Sequence, residues 1–143
     1  MDYLKVLVEE IHSVVVATVD ETGHPHTAVM DMMWEDGKTV YFLTADFNPL
    51  YKRLKEDGRV AVTGMTQGAG TMDRKSISLT GQVEWIGKEH LEELLKANPY
   101  MYEIYPTEEG RSHLQVFRFK NAVGNFYYLT QLPPYQARFE IEG

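Results

Sequence analysis

Apolar residues recur along the chain in two patterns, and the pattern assigns each segment to a helix or a strand. Three segments carry them at every third or fourth position, which predicts helices at residues 4–11, 48–57 and 89–97. Asn48 is suited to cap the second helix, and Asn98-Pro99 to end the third. The other apolar segments are short and either alternate or are rich in β-branched residues, which is typical of strands.

About seven strands are predicted from these segments. They cover residues 13–19, 25–34, 38–44, 59–65, 75–85, 114–120 and 125–129. Asp36-Gly37 predicts a tight hairpin, Gly81 a bulge, and residues 121–124 a turn. The segment that contains Pro133-Pro134 is expected to be irregular. Because strands dominate and are too rarely interrupted by helices for a βαβ pattern, we predict a mainly β fold. It is an antiparallel barrel with peripheral helices.

Composition and charge narrow the class of partner. The chain has 143 residues, 43% of them hydrophobic, which fits one globular domain over residues 1–143. No apolar run approaches the roughly 18 residues that span a bilayer, so we expect no membrane partner and a cytoplasmic location. A net charge of −7 disfavours nucleic acid as a partner. The absence of cysteine excludes disulfides and thiolate metal centres.

One carboxylate interrupts an apolar strand. Asp31 follows Met30 and precedes Met32, in a position where a buried carboxylate is costly without partners. It is either an exposed or paired edge residue, or part of a wall beside a polar planar ligand. Methionine side chains adapt well to flat rings, although core methionines are common.

Two further segments are candidates for binding an anion. Residues 44–49 join a strand to a helix, where free N–H groups and the cations Lys52 and Arg53 suit an anion such as phosphate. The alternative is an ordinary capped surface helix with a pair between Lys52 and Glu56. Lys75 and Ser76 begin the longest strand and are either solvated or in contact with the same anion.

Motifs of common enzyme classes are missing. The chain has no nucleophile elbow, zinc-protease motif, P-loop or glycine-rich dinucleotide fingerprint. His24 and His26 share a strand face, but no third ligand lies nearby in the sequence, so a metal site is not expected.

The ordered set of segments resembles the pyridoxamine 5′-phosphate-oxidase-like FMN-binding split barrels. The matching segments are residues 21–26, 27–31, 41–45, 50–54, 58–64 and 77–83. The second half, residues 98–106 followed by 116–117 and 126–129, is similar to a bacterial subgroup near the nitroimidazole-reductase-like proteins.

This resemblance implies a homodimer with two FMN sites, each built from both subunits. The residues expected to bind FMN are Val29, Met30, Asp31, Met32, Leu43, Thr44, Ala45, Asn48, Lys52, Lys75 and Ser76. The tyrosine-rich residues 100–106 are expected to cover the ring or to come from the partner. No catalytic side chain is assigned, because the flavin carries the electron chemistry.

The expected function is therefore FMN-dependent reduction or oxidation of a small molecule. Two alternatives use the same fold: a non-catalytic flavin carrier or sensor, and a haem-binding split barrel that needs one of the histidines. A third is a plain β-barrel interaction module without a cofactor. The chain lacks a basic, histidine-containing C-terminal motif, so pyridoxine phosphate is not the expected substrate.

Overall fold

The computed structural model of the protein describes residues 1–68, 70–130 and 132–143. Within these ranges the strands are β1 (Ser13–Val19), β2 (Pro25–Asp31), β3 (Trp34–Glu35), β4 (Val40–Ala45), β5 (Arg59–Met65), β6 (Lys75–Gly87), β7 (Leu114–Tyr128) and β8 (Tyr135–Glu142). The helices are α1 (Tyr3–Lys5), which continues as a π-helical turn over Val6–Ile11, α2 (Pro49–Glu56), α3 (Leu91–Ala97), α4 (Met101–Ile104) and α5 (Glu108–Arg111). The predicted mainly β fold is confirmed.

The strands form one antiparallel sheet that curls into a split barrel. Its order is β2-β1-β5-β6-β7-β4-β3, and β8 pairs with β7 in addition. The hairpin at Asp36 turns β3 back into β4, with the Asp36 carboxylate accepting from the N–H groups of Lys38 and Thr39. β2 lies against β4 across the split, and the barrel interior is filled by large apolar side chains.

Helices close the two ends of the barrel. The π-helical turn buries Val6, Leu7 and Ile11 at one end, and α2 buries Leu50 and Leu54 at the other. A second core lies outside β4, where α3 and α4 cover that strand. β4 is therefore buried on both faces, which explains why it reads as a continuous apolar run rather than an alternating one.

Two predictions about the C-terminal third were wrong. Residues 121–124 do not turn but continue β7 without a break, and the segment after Pro134 forms β8. The reason is long-range packing: the ring of Phe139 occupies the space where a side chain at residue 124 would stand, so Gly124 fits within a paired strand. Locally, Asn121 and Gly124 have the composition of a turn.

Gly81 also has a different role from the predicted bulge. The register shifts in β6 fall after Gln82 and after Trp85, whereas Gly81 pairs regularly with Ala122. A Cβ atom at residue 81 would lie 2.1 Å from the carbonyl oxygen of Asn121. Glycine is required here because the two backbones approach too closely for any side chain.

Substituting Gly81→Ala is expected to lower the free energy of unfolding by about 1–3 kcal/mol, because backbone atoms must move to admit the methyl group. Gly70→Ala is the matched control: no atom lies within 4 Å of its added Cβ. It is expected to change stability by less than about 1 kcal/mol. Urea denaturation of both variants measures this, and equal effects would contradict the assigned close approach.

Candidate functional site

One face of the sheet remains uncovered by the helices. On β1, β2, β5 and β6 the side chains that point away from the core form two rows across the strands. We call this set the outer sheet face: Val15, Val29, Thr63 and Ser78 in one row, and Ala17, Thr27, Ala61 and Thr80 in the next. These side chains are small or carry hydroxyl groups, and Val29 is 74% exposed. Such a surface lets another molecule approach the backbone closely.

A cleft of about 640 Å³ lies at one end of the outer sheet face. It is lined by Ala17, Thr18, Val19, Pro25, Arg59, Val60, Ala61, Thr80, Gly81, Gln82 and Asn121. Its volume is in the range of small-molecule sites, and a few polar groups stand in a mainly apolar wall.

Two arginines mark this end of the face. Arg53 donates from Nε to the hydroxyl of Thr18 at 2.8 Å. Arg59 binds the Asp57 carboxylate through Nε at 3.0 Å and a terminal nitrogen at 2.7 Å. These hydrogen bonds from Arg59 lower the pKa of Asp57 to about 2. The pair therefore stays charged throughout the neutral and mildly acidic range.

The strand-to-helix corner does not offer the free N–H groups that the sequence predicted. The Leu50 N–H donates to the Asn48 side chain at 3.0 Å, and the Tyr51 N–H to the Asn48 carbonyl at 2.9 Å. The Asp46 N–H donates to the His113 carbonyl at 2.8 Å. Asn48 thus serves as the N-cap of α2, and its side-chain oxygen is occupied in that role.

Several of the residues expected to bind FMN have buried side chains. Met32 lies in the main core, and Leu43 and Ala45 lie in the second core under α3 and α4. Thr44 is also buried. These residues can meet a ligand only through their backbone, because their side chains point into packed interiors.

Lys75 and Ser76 lie on opposite faces of β6. The Lys75 ammonium binds Glu10 at 2.8 Å and lies over the ring of Tyr128, on the side closed by the first helix. Ser76 belongs to the outer side of the sheet, because successive strand residues alternate between faces. The structure does not bring these two side chains to one point.

Lys52 is far from both of them. Its neighbours on α2, Tyr51 and Lys55, contact Trp85. Trp85 lies nine residues after Ser76 on β6, which corresponds to about 30 Å along a strand. The expected pair between Lys52 and Glu56 is not among the ion pairs of the described residues. Within one chain, Lys52 and Ser76 therefore cannot hold the same group.

Asp31 is paired, as one sequence interpretation held, but its partners are hydroxyls. Ser13 donates to one carboxylate oxygen at 2.7 Å and Tyr100 to the other at 2.7 Å. His12 lies next to the same carboxylate, with Nε2 at 3.6 Å. Sequence reasoning missed His12 and Tyr100 as partners, because no local pattern connects Asp31 with residues 19 and 69 positions away.

The described ranges hold neither a metal site nor a membrane-spanning helix. No three histidine, aspartate or glutamate side chains there converge as a metal site would require. No helix in the same ranges is long and apolar enough to cross a membrane.

The fold and the open sheet face define a split-barrel protein. The family model of pyridoxamine 5′-phosphate oxidase matches residues 2–128, so the chain belongs to that family. A comparison with curated proteins finds no match.

Solved structures share the architecture. A NimC/NimA family protein from Clostridium acetobutylicum matches with a TM-score of 0.76 at 20% identity, covering 98% of this chain and 95% of that one. A haem-binding protein from Mycobacterium smegmatis matches with a TM-score of 0.71 at 13% identity, covering 95% of this chain and 56% of that one. An F420 reductase matches with a TM-score of 0.62 at 20% identity, covering 80% and 90%. At these identities the likeness establishes the fold.

The Asp57–Arg59 pair predicts how stability depends on pH. Because the folded pKa of Asp57 lies below the unfolded value of about 3.9, the pair stabilises the fold above pH 4 and loses this effect as the pH falls towards 2. Asp57→Asn removes the titrating group. Urea denaturation at stepped pH is expected to show a smaller loss of stability between pH 4 and 2 in the variant than in the parent. Parallel curves would contradict the pairing.

Proposed function

We propose that this protein binds FMN at the outer sheet face and mediates the reduction or oxidation of a small molecule as a homodimer. The observation that carries the proposal is the uncovered outer sheet face, with Arg59 in the wall of its cleft, on a fold of the pyridoxamine 5′-phosphate oxidase family. We also propose a cytoplasmic location, since a chain without cysteine needs no oxidising compartment.

The chemistry of the described residues fits the parts of FMN. Small side chains on the outer sheet face leave room for a planar ring, and Thr63, Ser78 and Thr80 supply hydroxyls for a ribityl chain. Arg53 and the neighbouring Lys52 supply positive charge for a phosphate. When bound, FMN would supply the hydride or electron chemistry. The protein would orient the ring and limit the access of water.

A second copy of the chain is proposed because the expected contacts are divided. Lys52 and Ser76 lie near opposite ends of the barrel, so a single chain cannot place both on one cofactor. A two-fold related copy packed on the outer sheet face would bring one end of each barrel to the other end of its partner. Val15, Val29 and Met65 are exposed apolar side chains on this side of the sheet that such packing would bury.

The visible spectrum of the purified protein, before and after FMN is supplied, separates the candidate functions. Flavin absorption that reduced nicotinamide or another donor bleaches, followed by reoxidation with a small molecule, supports an oxidoreductase. Bound flavin that no donor bleaches favours a carrier or sensor. A Soret band after addition of haemin, with no flavin bound, or a protein that stays colourless with both, would contradict the proposal.

The contribution of Lys52 to FMN binding can be tested within α2. Lys52→Ala removes a cation that forms no ion pair with the described residues, so the Kd for FMN is expected to rise about tenfold. Lys55→Ala is the matched control, because the Lys55 ammonium lies 4.5 Å above the Trp85 ring and packs on the protein. Fluorescence titration of FMN measures both, and equal losses would contradict the assignment.

The dimer can be tested with exposed apolar residues. Val29→Asp places a carboxylate on the outer sheet face, where burial in an interface costs several kcal/mol, and is expected to give a monomer. Leu132→Asp is the control: Leu132 is 78% exposed but lies in the connection between β7 and β8, outside the strands of that face. Sedimentation velocity gives the masses. A parent that is monomeric with FMN present, or a Val29→Asp variant that stays dimeric, would overturn the proposed interface.

A further inference from the structure

A short chain of hydrogen bonds connects three titratable side chains from three different elements. His12 Nε2 lies 2.8 Å from the Tyr100 hydroxyl oxygen, which lies 2.7 Å from Asp31 Oδ2. Asp31 Oδ1 in turn accepts from the hydroxyl of Ser13 at 2.7 Å. His12 follows the first helix, Asp31 ends β2, and Tyr100 precedes α4, so only the folded chain assembles this set.

The backbone holds His12 in a costly conformation. Its φ of 63° and ψ of −66° lie in a region that residues other than glycine rarely adopt. It ends a π-helical turn, a rare element that is often found at functional sites. The His12 N–H donates to the Leu7 carbonyl and its carbonyl accepts from the Met32 N–H, both at 2.7 Å. These bonds fix the ring beside the end of β2.

The hydrogen bonds require one more proton than a neutral imidazole and an ionised carboxylate provide. His12 Nδ1 lies 3.0 Å from the Val8 carbonyl, which only accepts, so this nitrogen carries a hydrogen. Tyr100 has a single hydrogen, yet its oxygen makes short contacts with both His12 and Asp31. Both contacts are hydrogen bonds only when an additional proton resides on His12 Nε2 or on Asp31.

The extra proton can pass between these two positions through the tyrosine. Suppose that the Nε2 proton of His12 transfers to the Tyr100 oxygen while the Tyr100 hydrogen transfers to Asp31. The result is a neutral imidazole and a protonated carboxyl group. Burial, together with the neighbouring Asp31, raises the pKa of Tyr100 well above its ordinary value. Tyr100 therefore relays protons without ionising itself.

The two ends of the set face different surroundings. His12 lines a cleft of about 420 Å³ between the first helix, β3 and α3, open to solvent and bordered by the carboxylates of Glu9 and Glu35. Asp31 and Ser13 lie at the other end, where Asp31 shares the face of β2 that carries Val29. Ser13 and Asp31 thus border the outer sheet face, in the row next to Val15 and Val29.

We propose that His12, Tyr100 and Asp31 form a proton relay that leads from this cleft to the Asp31 carboxyl group beside the outer sheet face. There it delivers the proton that accompanies hydride transfer from reduced flavin to a bound substrate. The substrate gains one hydride and one proton, the flavin is oxidised, and solvent at His12 replaces the proton. Only this use of the proton rests on the proposed function, since the relay itself is built from the protein alone.

NMR of the cofactor-free protein tests the relay directly. In the parent, the His12 ring nitrogens and the Asp31 carboxyl carbon are expected to report the same protonation steps, because the two groups share a proton. In Tyr100→Phe the remaining 3.6 Å between His12 Nε2 and Asp31 Oδ2 is too long for a hydrogen bond, so the two groups are expected to report different steps. Glu9 and Glu35 face His12 across the cleft, and their own titrations are followed in the same spectra.

The matched control is Tyr102→Phe, an exposed hydroxyl two residues away, which is expected to titrate like the parent. Independent titration of His12 and Asp31 in the parent, or identical behaviour of the two variants, would overturn the relay. Should Tyr100→Phe fail to fold, the spectra of the parent decide: independent steps at His12 and Asp31 overturn the relay, and shared steps support it.

Measurements of kcat test whether the relay delivers its proton to the substrate. With saturating FMN and a donor, Tyr100→Phe is expected to lower kcat about 100-fold and to enlarge its pH dependence. An unchanged kcat would overturn delivery to the substrate. Failure of the parent to bind FMN would overturn the proposed function, and the NMR result would still decide the relay.

Discussion

The structure depends on the backbone pairing of β7, which forms hydrogen bonds with three other strands along its two edges. β6 pairs along one edge, while β4 and then β8 share the other. The change of partner falls at Phe119 and Lys120, whose carbonyls accept from the Thr39 hydroxyl and the Gly143 N–H. Because unpaired backbone groups are costly in a core, this junction fixes where each strand begins, and the barrel follows from it.

This arrangement also decides which surfaces are closed and which remain open. β4 pairs only with the first half of β7. It is buried on both faces, because α3 and α4 cover its outer face. The helices therefore cover the two ends of the barrel and the outer face of β4. The opposite wall, from β2 to β6, keeps small side chains in contact with solvent. The outer sheet face, rather than the strand-to-helix corner, is therefore the surface that remains open.

The same strand arrangement places the polar groups around Asp31. Asp31 ends β2 where the sheet edge meets the first helix, so its carboxylate receives hydroxyls from both sides. Tyr100 reaches it because Asn98 anchors the preceding turn, donating to the carbonyls of Met33 and Leu94 at 2.8 Å each. A buried amide with both bonds made is a rigid support, and it holds the tyrosine hydroxyl in line with His12.

The sequence alone determined the mainly β class, the family resemblance, and the limits of β1 and β5, which match the prediction residue for residue. Alternation and β-branched residues are local signals, and these strands have no competing turn composition. Only the tertiary structure decided that residues 121–124 continue a strand, that residues 135–142 form β8, and that the N–H groups around Asn48 are already occupied. It alone joined His12 to Tyr100, because contacts between distant residues arise from packing and leave no periodic trace along the chain.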